Sequence, residues 1–304
     1  MGPSQASPNA PLLPQGDGRH AGVLAEATKA ITPLILTFNE EDNIARVLER
    51  LSWAQRIVVV DSGSTDATLS ILSRYPQVEV VKRPFDTFAA QCNFGLTQIN
   101  TPWTLSLDAD YVLSEALVAE LQQLRLDGDI AGYSARFVYV VHGQTLRGAL
   151  YPPRTVLYKT AQARYRNEGH GHRVELVGTT IRLDGVIHHD DRKPLSRWFS
   201  SQQRYASREA LFLETASASE LKAQDRLRRM IWPAPIAVFL YTLFLKGCVF
   251  DGWRGWFYAL QRLIAECLLA IELLDRQFLR SERAAVDGVA GDGVASDQIG
   301  EREL

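Results

Sequence analysis

Sulfur is scarce in this sequence and its charges nearly cancel. Three cysteines, Cys92, Cys248 and Cys267, are odd in number, far apart and set among apolar residues. That argues against a disulfide framework or a zinc site and fits a reducing cytosol. The 33 basic and 35 acidic residues leave a formal net charge of -2, so no global field is available to grip nucleic acid. No internal repeat is visible. The apolar run Met230–Leu245 stops at sixteen residues, short of the roughly twenty that a spanning helix needs. The opening MGPSQASPNAPLLPQGDGRH lacks both a basic n-region and a long apolar h-region, so residues 1–29 are expected to form a disordered tail rather than a signal peptide. Residues 281–304 carry small residues, glycines and acids without an apolar stripe and are expected to form a second such tail.

What is present is an alternation. The strand TPLILT is followed by Asn39-Glu40-Glu41-Asp42 and the helical IARVLERL; RIVVVD by Ser62-Gly63-Ser64-Thr65-Asp66 and DATLSILSRY; then VEVVK, a helix around FAAQCNFGLTQI, and the strand WTLSL. Short strands alternating with helices predict an α/β fold with a parallel sheet and right-handed crossovers. Such sheets bind ligands beyond the carboxyl ends of their strands, and there three strands place acids: Glu40, Asp61 and the pair Asp108 and Asp110. Two carboxylates at one strand tip repel and need a cation or fixed donors nearby. In extended chain Asp108 and Asp110 point the same way while Ala109 packs behind. The first strand runs into TFNEED rather than a glycine-rich basic loop, which argues against a nucleotidyltransferase that cradles phosphate there.

The set LTFNEEDNI, VVVDSGSTDAT, QCNFGL and LDADY resembles the family 2 glycosyltransferases with the GT-A fold, from about Ile31 to Leu274. YPPRTVLYK, GHGHRVE, the Ile-His-His after LDG, RYASREA and FDGWRG are similar, more particularly, to the lipopolysaccharide-core glucosyltransferase branch. The resemblance implies a GT-A catalytic domain over 30–195, with a nucleotide-sugar half (30–130) and an acceptor half (131–195), and a helical membrane-associating region over 196–280. It implies an inverting transfer from a nucleoside diphosphate sugar, UDP-linked, to a membrane glycolipid or lipopolysaccharide-core-type acceptor. Thr37, Asn39 and Glu40 would line the base and ribose pocket, Asp61 would accept from the uracil or its equivalent, and Asp108 would face the ribose. Asp110, with Asp108, would hold Mg2+ or Mn2+ between the phosphates. Gln91 and Asn93 match the family's QxN facing the donor; Arg83 meets phosphate or is a solvated strand-end charge.

The general base stays open. Counting back from LDG, His172 falls where relatives carry the Glu of a His-Glu dipeptide; Glu168 or Glu175 would replace it after a small register shift. His170-x-His172 also has a metal-binding spacing, and His188 and His189 lie near the same cleft. Because that dipeptide is altered, a non-catalytic relative that binds nucleotide sugars or membrane partners is the alternative. The alternating segment GYSARFVYVVHGQTLRGALYPPRTVLYK predicts a hairpin packed against the sheet, with Arg147, Tyr151 and Arg154 as candidate acceptor contacts.

The last third changes character. Lys222, Arg226, Arg228 and Arg229 precede the apolar run, Pro233 and Pro235 open it, Trp232 and Tyr241 are interface-favouring aromatics, and Lys246 closes it. This predicts a helix in, or partly entering, the anionic cytoplasmic leaflet, and hence a cytoplasmic protein peripheral to the inner face of the membrane. A connecting turn at Asp251-Gly252 leads into an amphipathic helix from Trp253 to Leu274.

Overall fold

The computed structural model describes residues 27–296 apart from Asp127, Ala149, Gly169 and His170; the candidate His170 therefore lies outside the described residues. The alternation builds β1 (Ile31–Thr37), α1 (Ile44–Glu49), β2 (Ile57–Asp61), α2 (Thr68–Leu72), β3 (Val78–Lys82), α3 (Phe88–Thr97) and β4 (Trp103–Asp108). Almost every residue of β1 and β2 is buried, so these strands read as unbroken apolar runs, as parallel strands covered on both faces do. The order is β3-β2-β1-β4, all parallel, with Thr37 beside Asp61, Asp61 beside Lys82 and Leu36 beside Asp108. That register brings three carboxyl ends to one edge.

The chain continues through β5 (Tyr111–Leu113), α4 (Glu115–Gln123), β6 (Ile130–Val141), β7 (Gln144–Thr145), β8 (Arg154–Lys159), β9 (Arg164–Glu168), β10 (Gly171–Glu175) and β11 (Thr179–His189). Beyond β4 the sheet runs β8-β6-β11-β5, with β8 antiparallel to β4 and β6, β11 parallel to β6, and β5 antiparallel to β11. Only Ala109 and Asp110 separate β4 from β5, yet β5 pairs at the far end of the sheet. The sheet must therefore curl, and the curl sets His189 opposite Tyr111, with Asp190 N donating to Asp110 O at 3.1 Å. The predicted hairpin turns at His142 (φ 47°) and Gly143 (φ 77°), both left-handed as a tight two-residue hairpin loop requires. Its long strands are not laid on the sheet, however; β6 is an interior strand between β8 and β11.

α4 lies so close to β11 that a Cβ on Gly185 would come within 2.5 Å of Leu117 Cα. Glu120 on that helix accepts from Gly185 N at 2.9 Å and Asp184 N at 3.1 Å, satisfying amides exposed where the β11–β6 register shifts. This anchors the strand that ends on His188 and His189.

The C-terminal part comprises α5 (Leu195–Thr215), α6 (Ala223–Arg229), α7 (Pro233–Leu240), a π-helical turn (Tyr241–Leu245), a 3-10 turn (Cys248–Asp251) and α8 (Gly252–Ser296). Leu213, Leu269 and Leu273 share a small core between α5 and α8, beside which Arg228 makes a bidentate pair with Glu266 and reaches Glu209. α8 runs on to Ser296, well into the stretch expected to be a tail; Glu, Arg, Ala and Val there sustain a helix without an apolar stripe. Gly247 (φ 75°) and Gly252 (φ 60°) frame the bend between α7 and α8. Against this bend the β7–β8 loop docks: Asp251 accepts from Arg147 N at 2.9 Å and pairs with its guanidinium at 3.5 Å, and Leu150 N donates to Tyr258 OH at 3.4 Å.

Candidate active site

The loops after β1 and β2 are laced together. Asn39, held left-handed at φ 56°, a conformation that Asn tolerates, accepts from Thr65 N at 2.7 Å and Asp66 N at 3.3 Å, and its own N–H donates to Ser64 Oγ at 2.8 Å. Glu40 N donates to Thr68 Oγ1 at 2.6 Å, and Glu41 closes on Ala67 N at 2.9 Å. Asp61 is fully buried and takes four donors: Gly63 N (3.0 Å), Ser64 N (2.9 Å), Ser64 Oγ (2.5 Å) and Thr37 Oγ1 (3.0 Å). A carboxylate has about four lone-pair positions, so Asp61 has none left for a nucleobase. Thr37, Asn39 and Asp61, expected to touch the donor, hold the loops at these strand tips together.

Gln91 and Asn93 also depart from expectation. Gln91, 1% exposed, accepts from Arg83 at 2.9 Å and donates to Ser62 Oγ, Arg83 O and Pro84 O. Asn93 exchanges two hydrogen bonds with the Tyr165 backbone, at 2.9 and 2.8 Å, pinning the β9–β10 ribbon to α3. Arg83 is closed on Asp86 at 2.8 Å.

The groups that converge lie further along the chain. Asp110 Oδ2 sits 3.1 Å from His189 Nε2, with the rings of Tyr139 and Tyr111 at 4.5 and 5.2 Å from the imidazole. Desolvation disfavours the charged form of each partner, but their mutual attraction outweighs it, holding the His189 pKa above and the Asp110 pKa below the ordinary value. The Asp108 charge acts on His172, His189, Tyr111, Tyr151 and Tyr205. His189 Nδ1 is buried without a hydrogen-bond partner among the described residues.

From His189 the chain returns across the strand tips. Lys193 Nζ lies 2.7 Å from Glu40 Oε1 and 3.9 Å from Asp191. Burial pushes the Glu40 carboxyl up to about 7, Asp110 adding to the rise and Lys193 opposing it. Asn43, fully buried, donates to Glu40 at 2.9 Å and Asp191 at 2.9 Å; Arg46 pairs with Asp190; Arg197 donates to Asn39 O at 2.7 Å. Asn43, Arg46, Asp190, Lys193 and Arg197 were missed in the sequence. For Asp190 and Lys193 the one signal is the charge-dense HHDDRK at the end of an ordinary strand; Asn43, Arg46 and Arg197 lie outside it.

His172 lies on the β9–β10 ribbon, stacked on Phe88 (centroids 5.5 Å) and tilted against Tyr165 (5.3 Å). Burial lowers its pKa, with Arg154 adding and Asp108 opposing, so the ring is neutral at pH 7. Glu168 ends β9; its side chain lies outside the described residues. Glu175, three residues from His172 and so on the opposite ribbon face, pairs with exposed Arg166 at 2.8 Å. Tyr151 OH meets Tyr111 OH at 3.0 Å beneath Arg154, whose guanidinium is 4.1 Å from the Tyr151 ring. Arg147 faces the α7–α8 bend instead.

Asp110 and Asp108 supply hard oxygen donors and His189 a borderline nitrogen, a set suited to Mn2+ and acceptable to Mg2+. Among the described residues no three His, Cys, Asp or Glu groups close on one point, so substrate oxygens would have to complete the coordination shell.

Residues 34–176 match the profile of Glycosyl transferase family 2. The lipopolysaccharide core biosynthesis glycosyltransferase LpsC of Rhizobium meliloti is 25% identical over 269 residues, covering 86% of this chain and 97% of that protein. Among solved structures, S. aureus TarS 1–349 in complex with UDP-GlcNAc is similar at 15% identity and TM-score 0.41, over 81% of this chain and 91% of the other. Glucosyl-3-phosphoglycerate synthase from Mycobacterium tuberculosis, in complex with Mn2+, UDP and phosphoglyceric acid, is similar at 15% identity and TM-score 0.41, over 64% and 81%.

Proposed function

The chain belongs, through residues 34–176, to glycosyl transferase family 2, and from that premise we propose that it transfers a sugar from a uridine diphosphate sugar to a glycolipid or lipopolysaccharide-core-type saccharide with inversion at C1. The observation that carries the reading is the Asp110–His189 contact at the carboxyl edge of the parallel strands, where open α/β sheets bind their ligands.

Asp110 and His189, with Asp108, would hold Mg2+ or Mn2+ beside the donor diphosphate. When bound, such a cation neutralises the charge that grows on the departing diphosphate. Lys193, locked beside Glu40, adds a fixed positive charge on the same side. Tyr151 and Arg154 receive the acceptor. His172, neutral at pH 7 and beside the Asp108 field, takes the proton of the acceptor hydroxyl on a ring nitrogen. The acceptor oxygen then bonds to the sugar C1 as the bond from C1 to the diphosphate oxygen breaks, and UDP leaves with the electron pair. An acceptor anchored in lipid places the chain as a peripheral protein on the inner face of the membrane, with its C-terminal helices toward the bilayer.

Calorimetric titration with UDP, with and without Mn2+, tests the donor site on the wild type and on Asp110→Asn and His189→Ala. The expected result is metal-dependent binding lost in both variants. Binding that ignores the metal would overturn the ligand assignment, and absence of UDP binding would overturn the donor reading.

A further inference from the structure

The proposed function brings the chain to a membrane but leaves open how it sits there, and the bend between α7 and α8 carries that question. On α7 and the π-helical turn, Ile236, Leu240, Tyr241, Phe244 and Leu245 are exposed, while Ala234, Pro235, Thr242 and Leu243 are buried. Exposed positions at i, i+4, i+5, i+8 and i+9 form one helical face. At the start of α8 the pattern repeats: Trp253, Trp256 and Leu260 face outward, Gly255, Tyr258 and Ala259 inward. Trp256 meets Phe239 at 6.2 Å, so the two helices pack together, and the exposed Phe250 lies in the turn that joins them. Trp232 is 75% exposed, Leu245 78%, Phe250 71% and Trp253 88%. Soluble chains rarely leave so much contiguous aromatic and aliphatic surface in water.

Charge decides what covers it. Residues 222–257 contain Lys222, Arg226, Arg228, Arg229, Lys246 and Arg254 but only Asp225 and Asp251 as acids. Both acids are buried, and Arg228 is engaged by Glu266. An apolar, tryptophan-bearing face in a segment with this excess of cations over acids fits an anionic lipid surface. Length decides the orientation. Pro233–Leu245 spans about 20 Å at a helical rise, against a hydrocarbon core of about 30 Å. No single helix among the described residues is long and apolar enough to cross, and Pro233–Leu245 with Cys248–Glu282 passes only as a pair bent by 67°.

We propose that this bend seats in the interfacial layer of an anionic bilayer, inserting Trp232, Phe244, Leu245, Phe250 and Trp253 while lying in the membrane plane without spanning it. The inference rests on the transferase reading for its biological sense, but its test does not. Purified full-length protein is sedimented with vesicles of phosphatidylcholine alone and of phosphatidylcholine with one quarter phosphatidylglycerol, at low and high salt, and the bound fraction is washed with alkaline carbonate. The expected result is binding to the anionic vesicles that weakens at least tenfold in high salt and is released by carbonate. Trp232→Glu/Trp253→Glu is expected to lose this binding while titrating UDP and Mn2+ as the wild type does. Failure to bind anionic vesicles would overturn the lipid surface, resistance to carbonate would overturn the in-plane seat, and a wild-type dimer that the double variant dissociates would assign the face to a second copy. Vesicle binding without UDP binding would leave this inference standing and remove the donor reading instead.

Discussion

The carboxylates of Asp61 and Asp110 stand at the tips of β2 and β4, the two strands that flank β1, and have opposite circumstances. Asp61 is enclosed by four donors from its own loops. Asp110 faces an imidazole whose second nitrogen has no partner among the described residues, across a seam between elements far apart in sequence. A saturated carboxylate fixes a shape, whereas one that waits on a mobile proton or a cation can take part in chemistry. Residue type and position alone would have placed both in the same role.

That contrast is open to direct attack. The largest effect is expected from Asp110→Asn, with transfer falling by at least roughly a hundredfold, the size seen when one electrostatic partner of a transition state is removed. Its thermal midpoint should stay close to wild type; turnover assays beside a melting curve check both. Asp61→Ala should do the reverse first. It strands four donors, the buried Thr37 hydroxyl among them, and should lower stability by about 2–4 kcal/mol in urea unfolding, with activity falling as the loops loosen. If Asp61→Ala kept full stability, the distinction between shaping and reacting carboxylates would collapse.

Glu40 sits between the two cases and gives a pH signature. Its pKa is raised to about 7, so between about pH 4.5 and 7 the folded protein keeps a proton that the unfolded chain has released. Stability from this group is complete below that window and declines as pH climbs through it, by about 3 kcal/mol. Glu40→Gln should flatten that slope in denaturant titrations at a series of pH values. The smallest effect is expected from Arg50→Ala, whose pair with Glu115 at 3.0 Å lies in solvent; it should cost under about 1 kcal/mol, which sets the floor against which the others are read.

The nucleotide-side sheet was legible because its strands are unbroken apolar runs with polar loops between them, and the acids at its edge were visible for the same reason. What those acids do was not. The saturation of Asp61 depends on Gly63 adopting φ 94° and on Ser64 turning back under it, details of conformation rather than of residue order. The Asp110–His189 contact needs β5 to pair antiparallel with β11, and Glu40 meets Lys193 across 153 positions, so neither pair shares a local pattern. Gln91 and Asn93 matched a motif, yet most of their partners are backbone groups, which carry no sequence identity. In the last third the apolar run was plain, but its exposure was not, since a buried core helix can have the same composition.

The Asp251 clamp gives the molecule a rigid linkage between its two working ends. The same side chain that closes the bend also holds the amide of Arg147, four residues before Tyr151. A shift of the bend is therefore expected to pull on the loop that leads to Tyr151, so that a probe attached at one end registers displacement of the other.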